Sequence, residues 1–249
     1  MKLQKYKRDS EVSYALGATL VAELLKTHPE TITRVFLRPA DKYGDDLTKI
    51  LDELKAKKFE IIESTKAFNI LGAKENCLLA AEFKKDCLYE PESDVLRMPG
   101  QKNIILVNPS DSGNLGTIMR SAAAFGFKEI TIVPPAVDPY DPKVIRASMG
   151  AIFHLLVCVE NEPSIYPSES HNFFAFMLNK NAKTLDGIAP ASCEHKDLTL
   201  IFGNEAAGLP KDFCEKTGAT PVFIKQSANV DSLNLGVAAS IAMHHFKDN

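Results

Sequence analysis

The sequence contains no apolar run close to the roughly 20 residues that a helix needs to cross a bilayer. Its first nine residues, MKLQKYKRD, also lack the apolar segment of a secretory signal. Both absences argue against the membrane and secreted classes of protein. We therefore predict a cytoplasmic protein without a membrane partner.

Metal-site and disulfide patterns are missing as well. The five cysteines are scattered and form no C-x-x-C pair, which argues against a disulfide framework and against a zinc site. None of the six histidines is spaced with Asp, Glu or Cys as metal ligands would be. We expect reduced thiols and no metal.

Several enzyme signatures are absent too. No G-x-G-x-x-G, no G-x-S-x-G and no Walker A motif occurs, which argues against the common dehydrogenase, hydrolase and NTPase classes. A net charge of -3 excludes a polycation that binds nucleic acid indiscriminately. Any RNA would therefore be bound through local basic patches, for which Lys5, Lys7 and Arg8 are candidates.

The 249 residues suit a small and a larger domain. The segment 91–101 is rich in proline and charge and is typical of a linker, so we place one domain at 1–90 and another at 102–249. In the first domain, apolar residues recur at helical spacing from Tyr14 to Leu25, and Gly44 to Lys57 has the pattern of an amphipathic helix. With short strands at Arg34–Arg38, FEIIES and Cys77–Phe83, this domain is predicted to be a compact α/β sandwich.

The second domain contains longer apolar runs, most of which are continuous rather than alternating. Such runs are typical of strands that helices cover on both faces, so we predict an open, largely parallel sheet. The strand candidates are Asn103–Asn108, Glu129–Pro134, His154–Glu160, Phe173–Leu178, Leu198–Gly203 and Pro221–Lys225. Helices are predicted at Asn114–Phe125, Pro142–Ala151, Lys211–Lys216 and Leu233–Phe246.

Three polar loops follow strands of this sheet: NPSDSGNLG before Arg120, GNEAAGLP after Phe202, and KQSANVDSLN after Ile224. Because parallel strands end at the same edge of a sheet, the three loops are expected to share one site. Each candidate residue also has a structural alternative. Ser232 has the pattern of an N-cap for the last helix, and Glu205 could cap neighbouring amides. If the Arg120 side chain is buried, its guanidinium needs hydrogen-bonding or charged partners, and the helix that carries it offers none.

At these loops the chain resembles the SPOUT class of RNA methyltransferases, specifically the SpoU or TrmH family of ribose 2'-O-methyltransferases. The resemblance is carried by NPSDSGNLGTIMRSAAAFGF, LIFGNEAAGLP and IKQSANVDSLNLGVAAS. It implies a second domain with a parallel sheet and a deep C-terminal trefoil knot. The segment SYALGATLVAELLKTHPE is similar to the RNA-binding N-terminal domain of that family, which has an L30e-like α/β fold.

The resemblance also implies an activity, a cofactor and partners. Methyl transfer from S-adenosylmethionine to a ribose 2'-hydroxyl of rRNA or tRNA is implied, by a homodimer that associates through its knotted domain. The implied catalytic residues are Asn114, Arg120, Glu205, Ser232 and Asn234. The implied cofactor-binding residues are Phe202, Gly203, Asn204, Gly208, Ile224, Gln226, Ser232 and Leu233.

The sequence departs from the family pattern at two places. Ala206 follows Glu205 where glycine is usual, and Ile224 to Ala228 replaces the usual I-P-M-x-G. Both departures concern cofactor-loop positions and leave the reaction class unchanged. Three alternatives stay open, namely a catalytically inactive RNA-binding protein of the same fold, a nucleotide-dependent α/β enzyme of another kind, and methylation of a base.

Overall fold

A computed structural model describes residues 3–85, 101–161, 171–179, 182–193 and 197–247. The chain forms two compact units, of which the first comprises residues 1–90 and 138–154 and the second the remainder. The predicted linker at 91–101 lies outside the described residues except for Gln101, and it stays a prediction. In the described part of the chain, no helix is long and apolar enough to cross a membrane.

The first unit is built on a four-stranded sheet of order β1-β4-β2-β3. Strand β4 runs antiparallel to β1 and β2, whereas β3 runs parallel to β2. Helices α1 and α3 each bury an apolar face, and α2 buries Leu47, Leu51 and Leu54 at the predicted spacing. The strands are β1 Val12–Leu16, β2 Ile32–Leu37, β3 Ile61–Glu63 and β4 Leu79–Lys84, and the helices are α1 Ala18–Thr27, α2 Asp45–Ala56 and α3 Thr65–Leu71.

The predicted helix from Tyr14 to Leu25 is wrong in its first turn. Residues Val12–Leu16 form a strand, all five of them buried, and the helix begins only at Ala18. Gly17 separates the two elements with φ of 128°, a conformation that L side chains rarely adopt. A short apolar run does not by itself distinguish a strand from a buried helical turn, and pairing with β4 decides it here.

The segment 138–154 differs from expectation, because the sequence assigned it to the second domain. It contains the short helix α5, Pro142–Ala147, which ends four residues before the predicted Ala151. The Ser13 hydroxyl donates a hydrogen bond to the carbonyl oxygen of Tyr140 at 2.6 Å, and Phe153 packs edge-on against Phe83. These contacts join residues more than 65 positions apart, so no local pattern could reveal them.

The second unit is an entirely parallel seven-stranded sheet of order β7-β6-β5-β10-β8-β11-β9. All six predicted strands are present, and the two-residue β9 was missed. The strands are β5 Lys102–Val107, β6 Glu129–Val133, β7 Leu156–Val159, β8 His171–Phe176, β9 Lys183–Thr184, β10 Asp197–Phe202 and β11 Thr220–Phe223. The helices are α4 Ser112–Ala124, α6 Phe213–Thr217 and α7 Leu235–His245.

Both faces of this sheet are covered, as the continuous apolar strands predicted. In β8, Phe173 packs in a cluster with Phe213 of α6, whereas the next residue, Phe174, stacks on Phe246 beyond α7. Consecutive side chains of a strand point to opposite faces, so α6 and α7 lie on opposite sides. The prediction of an α/β domain with a parallel sheet is therefore confirmed.

Candidate active site

The first two polar loops begin side by side at the carboxyl edge of the sheet. Strand β5 pairs with β10 in a register that places Leu106 opposite Phe202, so the chain leaves both strands at the same level. The Asn204 side chain donates a hydrogen bond to the Asn108 carbonyl oxygen at 2.8 Å and joins the loops directly. Asn108 has φ of 54°, in the left-handed region that asparagine tolerates better than most residues.

Glu205 lies between these loops as a shared acceptor. Its carboxylate accepts from the Ser110 hydroxyl at 2.7 Å, from the Ser110 amide at 3.0 Å and from the Asp111 amide at 3.1 Å. Asn114 donates to it from its side-chain amide at 3.2 Å. The carboxylate thus fixes the loop after β5 to the start of α4, which supports the capping alternative considered for Glu205.

The electrostatics of Glu205 follow from these donors. Partial burial alone would raise the pKa of its carboxyl group, but the hydrogen bonds from Ser110 and Asn114 outweigh that cost and lower the pKa. Glu205 is therefore an anion at neutral pH, and its charge is stabilised by neutral donors. A carboxylate held in this way is suited to orienting its neighbours rather than to accepting a proton.

The third loop joins the same network through Asn234. Its side-chain amide donates to the Asn114 side-chain oxygen at 2.9 Å, and its own oxygen accepts from the Val237 amide at 3.2 Å. Asn234 is thus the N-cap of α7, and the prediction of Ser232 as that cap is wrong. Helix α4 likewise begins at Ser112 with Asp111 as its cap, two residues before the predicted entry at Asn114.

The loop 203–209 has a backbone that only glycine permits at its first position. A Cβ atom on Gly203 would lie 2.2 Å from the carbonyl carbon of Gly208, because Asn204 and Gly208 form an isolated β-bridge. The Asn204 side-chain oxygen accepts from the Ala206 and Ala207 amides at 2.9 and 3.0 Å. Ala206 is not among the residues with positive φ, so alanine replaces the usual glycine there without backbone strain.

A pocket of about 600 Å³ opens between this loop and the segment that leads into α7. All eight predicted cofactor-binding residues line it, namely Phe202, Gly203, Asn204, Gly208, Ile224, Gln226, Ser232 and Leu233. The sequence missed the wall formed by Phe176–Asn179 and by Lys211. The sheet order explains the part formed by Phe176–Asn179, because β8 lies beside β10.

The predicted catalytic residues divide into two groups. Glu205 and Ser232 line the pocket, whereas Asn114, Asn234 and Arg120 do not. Asn114 and Asn234 remain connected to the pocket wall through Glu205. Ser232 is exposed and, within the described ranges, has no hydrogen-bond partner.

Arg120 differs from expectation in its environment. Because α4 begins at Ser112, Arg120 lies in its third turn, and its side chain is exposed rather than buried. The structure gives it no ion pair or hydrogen bond with any residue it describes. The concern that a buried guanidinium would need partners in its helix therefore does not arise, and the charge is available to a ligand.

Sequence comparison relates this chain to known methyltransferases. A profile of the SpoU rRNA Methylase family matches residues 101–244, more than half of the chain. The 23S rRNA (guanosine(2553)-2'-O)-methyltransferase RlmP of Bacillus subtilis (strain 168) is 28% identical over 185 residues, which cover 69% of this chain and 72% of that protein. The mitochondrial rRNA methyltransferase 3 of Homo sapiens is 38% identical over 192 residues, which cover 58% of this chain and 46% of that protein.

Structural comparison extends the likeness to nearly the whole chain. The AdoMet-bound rRNA methyltransferase from Sinorhizobium meliloti matches with a TM-score of 0.74 at 24% identity. The match covers 95% of this chain and 87% of that one. At this level of identity the likeness concerns the fold.

Proposed function

This chain belongs to the SpoU rRNA methylase family, and from that premise we propose that it transfers a methyl group from S-adenosylmethionine to a ribose 2'-hydroxyl of RNA. The proposal depends on one observation: Glu205 lines the pocket and accepts a hydrogen bond from Asn114 of the first loop. Through Asn234 the third loop joins that network. A cofactor pocket and a set of substrate-positioning side chains are thus physically connected.

The pocket suits S-adenosylmethionine in size and chemistry. Its volume of about 600 Å³ lies within the range of about 300 to 1,000 Å³ that is usual for small-molecule sites. Its wall combines apolar side chains such as Phe176 and Leu233 with polar loop residues such as Asn204, which matches a ligand with a flat base and a charged tail. Phe202, Gly203, Ile224 and Leu233 would hold it, and when bound it supplies an electrophilic methyl group on a sulfonium.

Arg120 is proposed as the residue that acts on the RNA. A guanidinium stays protonated in proteins, so it is unsuited to the role of a general base. We assign it to binding an RNA phosphate and stabilising the alkoxide that develops at the ribose oxygen, while bulk water or that phosphate accepts the proton. Asn114 and Ser232 position the ribose, and Glu205 orients Asn114 through its hydrogen bond rather than contacting Arg120.

Arg120→Ala tests this assignment. We expect methylation to be lost while calorimetric binding of S-adenosylmethionine is unchanged, because Arg120 does not line the pocket. Lys128→Ala removes another exposed cation of the same unit and should leave the turnover unchanged. A normal turnover in Arg120→Ala would contradict the assignment.

Incubation with labelled S-adenosylmethionine and total RNA distinguishes the alternatives. Label at a ribose 2'-oxygen after nuclease digestion supports the proposal, whereas label on a base indicates base methylation by the same fold. A protein that binds RNA and transfers no label would be the inactive form. Mapping the labelled nucleotide also decides between rRNA and tRNA.

The finer architecture of the second unit is part of the proposal. A trefoil knot, in which the C-terminal segment threads a loop, agrees with the position of residues 224–238 against loop 203–209 around one pocket. Association of two copies through this unit agrees with Val237 and Ile241, which are 47% and 41% exposed on α7. Apolar side chains one helical turn apart form a face that a second copy could cover.

RNA reading is proposed for the first unit, as an L30e-like domain. Lys5, Lys7 and Arg8 are exposed there, while Tyr6 between them donates a hydrogen bond to the Asp138 carboxylate at 2.5 Å and keeps the segment packed. Deleting residues 1–90 would also strip contacts from the segment 138–154, so point substitutions are preferable. Lys5→Ala with Lys7→Ala should weaken RNA binding and reduce its salt dependence, with cofactor binding unchanged.

A further inference from the structure

Lys211 is a cation of the pocket wall that has no role in the proposed chemistry. Lys211 lines the pocket just beyond loop 203–209, and its side chain is exposed. Among the described residues that line the pocket, it is the only Lys or Arg. Glu205 is the only acidic residue of the same set.

Most other polar groups of the pocket already have partners. The Asn204 side chain donates to the Asn108 carbonyl and accepts two loop amides. The Glu205 carboxylate accepts from Ser110 and Asn114, and the Gln226 amide donates to the Asp231 carbonyl at 3.1 Å. These bonds shape the loops and leave little capacity for a charged ligand.

Lys211 has no such partner. Over the described ranges it takes part in no hydrogen bond or ion pair. The adjacent Asp212 carboxylate is engaged by Lys216 at 2.6 Å, one helical turn further along. Lys211 therefore lines the pocket without an ion-pair partner in the part of the chain that the structure describes.

We infer that Lys211 binds the carboxylate of the methionyl tail of S-adenosylmethionine; this inference rests on the proposed function. A carboxylate that enters a partly apolar pocket gives up water and needs a donor, and a charge-assisted hydrogen bond to an ammonium replaces it. Lys211 is the lining residue that carries the required charge and is unengaged. The base of the cofactor is then left to the apolar side chains of the same pocket.

A double-mutant cycle between protein and ligand tests the inference. The full-length protein and Lys211→Met are titrated calorimetrically with S-adenosylmethionine and with decarboxylated S-adenosylmethionine, which lacks only the carboxylate. We expect Lys211→Met to weaken binding of S-adenosylmethionine about fivefold at low salt, the range of an exposed ion pair. Binding of the decarboxylated ligand should be unchanged by the substitution.

Two further variants serve as controls. Lys225→Met removes an exposed lysine that does not line the pocket. It should change the affinity neither for S-adenosylmethionine nor for the decarboxylated ligand. Lys211→Arg keeps the positive charge and should retain most of the affinity for S-adenosylmethionine. Raising the salt concentration should shrink the difference between wild type and Lys211→Met, because the pair is exposed. Thermal unfolding should be unaffected by Lys211→Met, since the side chain is exposed and makes no hydrogen bond or ion pair with a residue that the structure describes.

Each other outcome overturns the inference. Equal loss for both ligands would place Lys211 against another part of the cofactor. Unchanged affinity for S-adenosylmethionine with weaker RNA binding would assign the lysine to an RNA phosphate. If the wild-type protein binds neither ligand, the proposed function itself fails. If the wild type and Lys211→Met bind S-adenosylmethionine equally well, only the inference about Lys211 fails.

Discussion

The side-chain amide of Asn234 donates a hydrogen bond to the side-chain oxygen of Asn114, with 2.9 Å between the two atoms. The residues are 120 positions apart, and the bond ties the N-cap of α7 to the first turn of α4. Since Asn114 also donates to Glu205, one chain of hydrogen bonds connects all three motif loops. The site is therefore one unit, and its members should respond together to substitution.

Substitution of Asn234 should separate its two roles. Asn234→Ala removes both the cap and the bond to Asn114, and we expect unfolding free energy to fall by about 0.5 to 2 kcal/mol. Asn234→Asp keeps an oxygen for the Val237 amide but loses the donor, so most of the stability should remain while methylation falls. Chemical denaturation and a methylation assay measure the two effects. Equal activity of Asn234→Asp and wild type would show that the bond to Asn114 is dispensable.

Glu205→Gln should destabilise the protein by about 1 to 3 kcal/mol at neutral pH, because an amide offers fewer acceptor sites to the donors around it. The pH dependence follows from the lowered pKa of Glu205. Because its pKa is lowered in the folded protein, the Glu205 carboxylate stabilises the fold at pH values above its ordinary pKa of 4.5. This stabilisation is lost as the pH falls below 4.5 and through the lowered pKa. The difference between the two proteins should therefore shrink below pH 4.5 in denaturant titrations. Glu215→Gln, at an exposed site on α6, is the matched control and should leave the stability at neutral pH unchanged.

Gly203→Ala should disrupt the pocket. Its new Cβ atom would lie 2.2 Å from backbone at Gly208, which no rotamer can relieve, so loop 203–209 must move. We expect loss of S-adenosylmethionine binding in calorimetry, together with a lower melting temperature. Gly44→Ala is the matched control, because a Cβ there meets no atom within 4 Å and its φ is -70°. Unchanged cofactor binding in Gly203→Ala would remove this loop from the cofactor site.

The exposed face of α7 predicts the behaviour of the proposed dimer. Val237→Glu with Ile241→Glu places two charges on the apolar face, and burial of unpaired charge would oppose association. We expect sedimentation velocity to give a dimer for the wild type and a monomer for the double variant. Val159→Glu changes an equally exposed apolar residue at the end of β7 and should leave the dimer intact. A dimer that persists in the double variant would place the interface elsewhere.

Much of the second unit could be read from the sequence. Most of its six main strands are short, continuous apolar runs, and the polar loops that bound them favour strands over longer buried helices. The family predicted from the three loop motifs is confirmed by the profile match. The resemblance also implied eight cofactor-binding residues, and all of them line one pocket, since parallel strands deliver their loops to one edge.

Other features needed the tertiary structure. Strand β1 and the place of segment 138–154 depend on partners far away in the chain, such as β4 and Tyr140. The N-cap of α7 is Asn234 rather than Ser232, since either residue type can cap and only the path of the loop selects one.

The sequence by itself determined which residues carry charge and polarity at the ends of the strands, because residue type and periodicity are local properties. Only the tertiary structure decided which of them meet. It left Arg120 exposed and without a partner in the described residues, and it added Lys211 to the pocket wall. Because β8 lies beside β10, Phe176–Asn179 line the same pocket. Strand order and side-chain exposure are set by packing between distant segments, which no local pattern records.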